Sequence, residues 1–176
     1  MWLLPYNEGM NKKCVKVGGC CAVLFLVIIL PALVIGKGRL FMNADFNSQQ
    51  IPFNILCNKA IKNGEYFWNW NTDLGSNFIA SYSFYNIGSP FFWIMLLVPS
   101  KYVVYAMGPL LVLKFMVSGC SSYLYLSQYV KNGYLAAIGA VLYTFSGFTF
   151  SNLFYNHFMD VIALFPLLLL ALDQNV

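Results

Sequence analysis

Charge is what this chain lacks. Only 9% of its 176 residues are charged, and six of them are acidic, whereas a soluble domain carries about 25% charge. So few charges cannot cover a surface facing water. Hydrophobic residues make up 60% of the chain and the mean hydropathy is +0.66, so the solvent is mainly lipid. In lipid every spanning segment is a helix or part of a closed barrel. The apolar runs are continuous rather than alternating, which selects helices. The net charge of +4 is scattered, with no basic stripe for nucleic acid; it reads as topogenic lysine. Histidine occurs once, and no Cys-x-x-Cys pair offers a zinc site. Of Cys14, Cys20, Cys21, Cys57 and Cys120, only Cys57 lies in a long polar stretch, so no disulfide framework is implied. A glycine-rich phosphate loop, a Walker-type lysine and a Ser-His-Asp or Cys-His constellation are also missing. No cofactor is required by these residues, and the use of a divalent metal is left open.

What is present is a series of apolar runs. Lys12, Lys13 and Lys16 precede an uncharged run from Val17 to Ile35, close to the roughly 20 residues that span a bilayer. It exceeds a signal-peptide core of about 7–15 residues, and no Ala-x-Ala site follows. It therefore reads as an uncleaved helix over 17–35 with a cytoplasmic N-terminus and an external C-terminal end. A polar segment follows, carrying Lys37, Arg39, Asp45, Lys59, Lys62, Glu65 and Asp73. Ile51 to Ile61 reads as a short helix along the membrane face, and Tyr66 to Asn71 as an interfacial aromatic cluster. Phe78 to Val98 is long enough to span, but Ser81, Ser83, Asn86 and Gly88 interrupt it and Ser89-Pro90 breaks a helix. An interfacial or re-entrant segment over 78–98, inside an external loop over 37–100, is favoured over a full span. Further spans are expected over 102–126, 134–150 and 158–172. The whole reads as one membrane domain over 1–176. Because it stops directly after an apolar run, it is expected to be part of a longer protein.

Few residues can carry chemistry. Asp45 stands just beyond the first membrane-length run, within Asn43-Ala-Asp-Phe-Asn-Ser-Gln-Gln-Ile-Pro-Phe53. There a carboxylate can act on a polar group attached to a lipid, or be a solvated loop residue. Gln49 and Gln50 are potential hydrogen-bonding amides for a sugar or phosphate. Lys37 and Arg39 suit phosphate contact or interfacial snorkelling. Trp68 and Trp70 suit sugar stacking or interfacial anchoring. His157 and Asp160 share a helical face and suit proton transfer or metal binding, with Asp160 as a helix cap the plainer alternative. Lys114 lies inside an apolar run, where an ionisable group is a functional candidate unless it snorkels to the interface.

The ordered set of motifs resembles the bacterial YfhO membrane protein family. Asp45-Phe-Asn-Ser-Gln49-Gln-Ile-Pro52-Phe53, Gly64, Trp70-Asn71, Leu74-Gly75-Ser-Asn77-Phe78 and Ser89-Pro90-Phe91 match its first external loop. Lys114 before Gly119, Tyr123-Leu-Tyr125, Phe145-Ser-Gly147-Phe148, Asn156-His157, Asp160 and Pro166-Leu167 continue the series. The resemblance covers nearly everything from Val17 onward. It departs from the family in length, members being several times longer, and in lacking a tryptophan just before Asp160.

The resemblance implies an all-α polytopic membrane protein, with N-terminal helices like those of C-type glycosyltransferases and a long first external loop carrying juxtamembrane helices. It implies transfer of a sugar from a polyprenyl-phosphate donor to a cell-envelope glycopolymer acceptor, such as lipoteichoic acid, on the outer face of the plasma membrane. Asp45 matches the catalytic or acceptor-orienting carboxylate. Lys37, Arg39, Gln49, Trp70, Asn71, His157 and Asp160 are the expected substrate contacts. A transporter or flippase of a lipid-linked sugar and an inactive truncated membrane subunit are the competing functions.

Overall fold

A computed structural model describes residues 8–72 and 74–174; Asp73, one of the loop charges, lies outside the described residues. The protein is an all-α polytopic membrane protein. Its helices are α1 (Glu8–Ile35), α2 (Ile51–Lys62), α3 (Phe78–Tyr82), α4 (Pro90–Met95), α5 (Val103–Tyr129), α6 (Gly133–Thr144), α7 (Gly147–Ser151) and α8 (Asn156–Asp173). A two-residue hairpin pairs β1 (Trp68–Asn69) with β2 (Ser76–Asn77), antiparallel. Gly9–Ile35, Ser100–Tyr129, Gly133–Ser151 and Asn156–Asp173 are long and apolar enough to cross a membrane. Val23, Val27, Leu30, Val34 and Ile35 are exposed along α1. An apolar face of that length is stable against lipid and not against water.

The described residues within Met1–Ile28, Val112–Leu153 and Met159–Val176 form one compact unit. Small residues bring its helices close. A Cβ on Gly18 would lie 2.3 Å from Cys120 Sγ, and one on Gly119 would lie 2.7 Å from Cys21 Sγ and 3.3 Å from the Gly18 Cα. Close backbone approach of this kind is how membrane helices gain packing energy without a hydrophobic drive. Cys14, Val17, Cys21, Tyr123, Ala136 and Ala140 form a core here. The Phe25 and Phe115 rings stack with centroids 3.7 Å apart. The third candidate span is interrupted: α6 stops at Thr144, and Ser146 caps α7 by accepting from the Thr149 amide.

The second unit comprises Ile29–Leu111 and Phe154–Phe158. In it α1 ends in a turn whose backbone bonds run from Gly38 N to Leu33 O and from Lys37 N to Val34 O. Lys37 takes the left-handed position, φ 52°, that glycine usually holds in this motif. The Ile51–Ile61 helix expected from sequence is α2. The stretch from Phe78 to Val98 is divided into α3, a π-helical turn over Ser83–Ile87, and α4. Ser89-Pro90 starts α4: the serine hydroxyl accepts from the Phe92 amide and the proline takes the first turn, where it has no intrahelical bond to lose.

Candidate functional site

The left-handed turn after α1 places Lys37 beyond the helix C-terminus and exposed, where a cation complements the helix dipole. Arg39 is partly buried; its Nε donates to the Gly36 carbonyl at 3.3 Å and its guanidinium lies 5.3 Å from the Phe41 ring centroid. Ala44, also left-handed at φ 56°, turns the chain into Asp45. This residue heads a π-helical turn over Phe46–Gln50 that runs directly into α2, and its side chain makes no capping bond to that turn. Asp45 is half-buried, and among the described residues no ion pair or hydrogen bond joins it to Lys37, Arg39 or Gln49. Gln49 is half-buried as well. Gln50 and Asn54 are buried, and Asn54 Nδ2 donates to the Gln50 carbonyl at 2.8 Å. That bond leaves Gln50 Nε2 and Asn54 Oδ1 without a partner among the described residues. An unmatched buried donor and acceptor on one helical face, a turn beyond Asp45, is a polar feature that Gln49 alone does not convey.

The inner face of α2 is pinned by polar side chains. Asn58 Nδ2 donates to the Met95 and Val98 carbonyls at 3.0 and 3.2 Å, and its Oδ1 accepts from Ser100 Oγ at 2.7 Å. A buried amide with donors and acceptor all matched is stabilising, whereas losing one partner costs about 1–3 kcal/mol. Asn86 Nδ2 donates to Cys57 Sγ at 3.4 Å. Burial pushes the Cys57 thiol up to about 12, and the Asn86 bond opposes that rise.

The hairpin holds the next group. Asn69, fully buried, donates to Glu65 Oε2 at 2.6 Å, while its Oδ1 accepts from the Asn71 amide at 2.9 Å and from Thr72 Oγ1 at 3.2 Å. Trp68 and Trp70 meet edge to face, centroids 5.6 Å apart. A Cβ on Gly75 would lie 2.9 Å from Trp70 Cε3 and 3.1 Å from Trp68 Cζ2. The indoles therefore rest on a glycine backbone at φ 107°, and Trp70 stays 75% exposed. Asn71 is exposed and lines a cavity with α2.

His157 is buried in aromatic surroundings, its ring centroid 4.7 Å from Phe84, 5.0 Å from Tyr85 and 4.6 Å from Phe158. Asp160 has a different partner. Its Oδ1 lies 2.5 Å from Lys114 Nζ, and Lys114 is fully buried. Lys114 therefore does not snorkel, and Asp160, inside the first turns of α8, serves an ion pair and not a helix end. The pair heads a polar seam of α5. Ser118 Oγ lies 3.2 Å from Thr144 Oγ1, and Ser121 Oγ donates to the Ala163 carbonyl at 2.7 Å. These bonds link α5 to α6 and to α8. The sequence flagged Lys114 as an ionisable group inside a span, and spacing alone did not pair it with Asp160.

Of the residues expected to contact substrate, Lys37, Arg39, Asp45, Gln49, Trp70, Asn71 and His157 belong to one unit and Asp160 to the other. Among the described residues no three His, Cys, Asp or Glu side chains converge as metal ligands.

The family model described as bacterial membrane protein YfhO matches residues 20–176. No curated protein and no solved structure matches the chain.

Proposed function

The chain belongs to the YfhO family of bacterial membrane proteins, and from that premise we propose that it serves sugar transfer from a polyprenyl-phosphate carrier to a cell-envelope glycopolymer such as lipoteichoic acid. The architecture is that of a C-type glycosyltransferase. The N-terminus is cytoplasmic and the Lys37–Val98 region lies on the outer face. The observation that supports this reading beyond the family match is Asp45. It is a partly exposed carboxylate with no capping bond, set on a helical turn shortly after the first candidate span.

The chemistry needs little more than placement. An acceptor hydroxyl oxygen attacks the anomeric carbon of the donor. The bond from that carbon to the phosphate oxygen breaks, and polyprenyl phosphate leaves with the electron pair. Asp45 takes the hydroxyl proton, a general-base role that requires hydrogen-bond reach. Lys37 and Arg39 pair with the phosphate as its charge grows. Trp70, Asn71, Gln49 and His157 line the path of the sugar. Asp160 holds its place in the pair with Lys114. In membranes carrying a polyprenyl-phosphate sugar, Asp45→Asn is expected to lower transfer by at least about a hundredfold, the weight of a general base, with unchanged membrane insertion. Transfer at the unsubstituted rate overturns the assignment.

A transporter or flippase of a lipid-linked sugar is the second reading, favoured by one observation. Lys114 and Asp160 are buried charges within candidate spans, and such charges mark transport pathways as well as structural pairs. Movement of a lipid-linked sugar across proteoliposomes that Lys114→Met abolishes, with no transfer in either protein, selects transport.

A further inference from the structure

The outward face of α2 is separate from its pinned inner face. Pro52, Leu56, Lys59 and Asn63 recur at helical spacing along it. The helix then ends in a second left-handed turn. Gly64 has φ 79°, its amide donates to the Ile61 carbonyl, and the Glu65 amide donates to the Ala60 carbonyl at 2.9 Å. This turn fixes the Glu65 backbone, and Asn69 fixes its side chain by binding Oε2. Asn69 in turn fixes Asn71 and Thr72 through its own Oδ1. The result is a cavity of about 480 Å³ whose polar lining is Lys59, Asn63, Glu65, Asn69 and Asn71. That volume lies within the range of roughly 300–1,000 Å³ of small-molecule sites.

The character of the lining selects its ligand. Lys59 and Glu65 oppose one another in sign, so the formal charges of the described lining residues cancel. Lys59 is a pure donor, a carboxylate is a pure acceptor, and the Asn63 and Asn71 amides are both. Glu65 Oε1, Lys59 Nζ and the Asn63 side chain have no partner among the described residues. A hydroxyl both donates and accepts, so a ligand with several hydroxyls on a compact apolar frame matches this set. The aliphatic floor of Ile55 and Leu56 matches the carbon face of such a ring. Trp70, between Asn69 and Asn71 in sequence and propped on Gly75, presents an exposed aromatic face from the same hairpin.

We propose that the cavity between α2 and the β1–β2 hairpin binds an uncharged saccharide unit. Saccharide binding at this cavity is measurable without transfer, so it stands or falls apart from the sugar-transfer reading. The probes are methyl glycosides of glucose, galactose and N-acetylglucosamine, with glycerol phosphate as the anionic comparison. They are applied to the full chain in lipid nanodiscs, and binding is read by saturation-transfer NMR. At least one glycoside is expected to bind and glycerol phosphate not to compete. Glu65→Gln and, separately, Lys59→Ala are expected to weaken that glycoside about tenfold, the weight of a hydrogen bond to a charged group. Lys59 is exposed, and Glu65→Gln keeps a side-chain oxygen to accept from Asn69 Nδ2, so the fold survives either change. The inference is overturned if no glycoside binds, if both variants bind as the unsubstituted chain does, or if glycerol phosphate displaces the sugar. Transfer that depends on Asp45, in a protein whose glycoside binding is indifferent to Lys59 and Glu65, overturns this cavity and leaves the proposed function standing. Glycoside binding lost in both variants, in a protein that transfers no sugar, supports the cavity and overturns the proposed function.

Discussion

Removing one partner of the Lys114–Asp160 pair tests whether the centre of the bundle is held by charge. The two side chains are not equally placed: Lys114 is 0% exposed and the Asp160 side chain 12% exposed, with 2.5 Å between Nζ and Oδ1. Asp160→Asn leaves an ammonium with no exposure and a neutral amide opposite. Lys114→Met leaves a carboxylate that retains a small opening. Breaking a buried pair costs about 3–5 kcal/mol because the remaining charge is uncompensated. Asp160→Asn is therefore expected at the upper end of that range and Lys114→Met at the lower. The double variant Lys114→Met/Asp160→Leu removes both charges and fills the space with apolar atoms. Such replacements are commonly neutral or stabilising by about 1–4 kcal/mol, so the double variant should be near the unsubstituted protein. The Ser118–Thr144 and Ser121–Ala163 bonds involve neither substituted side chain and serve as the constant background. The assay is unfolding of the nanodisc-reconstituted protein, followed by circular dichroism, for the four members of the cycle. Single substitutions that each cost under about 1 kcal/mol, and that add in the double variant, refute a desolvated pair.

Gly18→Val is expected to destabilise the first unit by about 1–3 kcal/mol through overpacking. The new Cβ would lie 2.8 Å from the Met116 carbonyl oxygen, a backbone atom with little room to move. Gly19→Ala, which meets nothing within 4 Å, is the tolerated control in the same melting experiment. For Cys57, a folded value of about 12 against an ordinary 9.0 means the native state keeps its proton where the unfolded chain loses it. Its contribution to stability is then complete below pH 9 and is lost as pH rises toward 12. In a variant retaining only Cys57, maleimide labelling at pH 8 should be negligible until detergent unfolds the protein; ready labelling of the folded protein refutes the burial.

The features legible in sequence are those that one residue or one run carries alone. Nineteen uncharged residues in a row announce a helix in lipid whatever surrounds them, and α1 covers the 17–35 run from Glu8 to Ile35. Ser89-Pro90 starts a helix for reasons local to proline, and α4 begins there. The ordered motifs that resemble the YfhO family are a property of the chain, and the family model matches residues 20–176. The placement of Lys37 was not legible, because a lysine in the left-handed position breaks the glycine rule and is set by the turn that closes α1. Gln50 and Asn54 were also opaque. Gln50 looks like a loop amide, and Asn54 like one more polar position of a short surface helix, until the helical turn buries both on one face.

Pairing is where sequence proximity misleads. His157 and Asp160 stand three residues apart on one helix, and spacing alone couples them. Yet three residues on a helix is a separation of about 60° in direction as well as most of a turn in height, so neighbours on one face can still address different surroundings. His157 meets Phe84, Tyr85 and Phe158, while Asp160 meets a lysine far away in sequence. The decisive quantity was scarcity. An apolar span cannot hold a lone ammonium at low cost, so a lysine fixed at mid-span demands a carboxylate from another span. Outside the Lys37–Asn77 segment the chain offers only Glu8, Asp160 and Asp173. Glu8 and Asp173 sit at the ends of α1 and α8, at the wrong depth for the middle of α5. Asp160 is the remaining partner by elimination, and a chain so poor in charge makes that elimination possible.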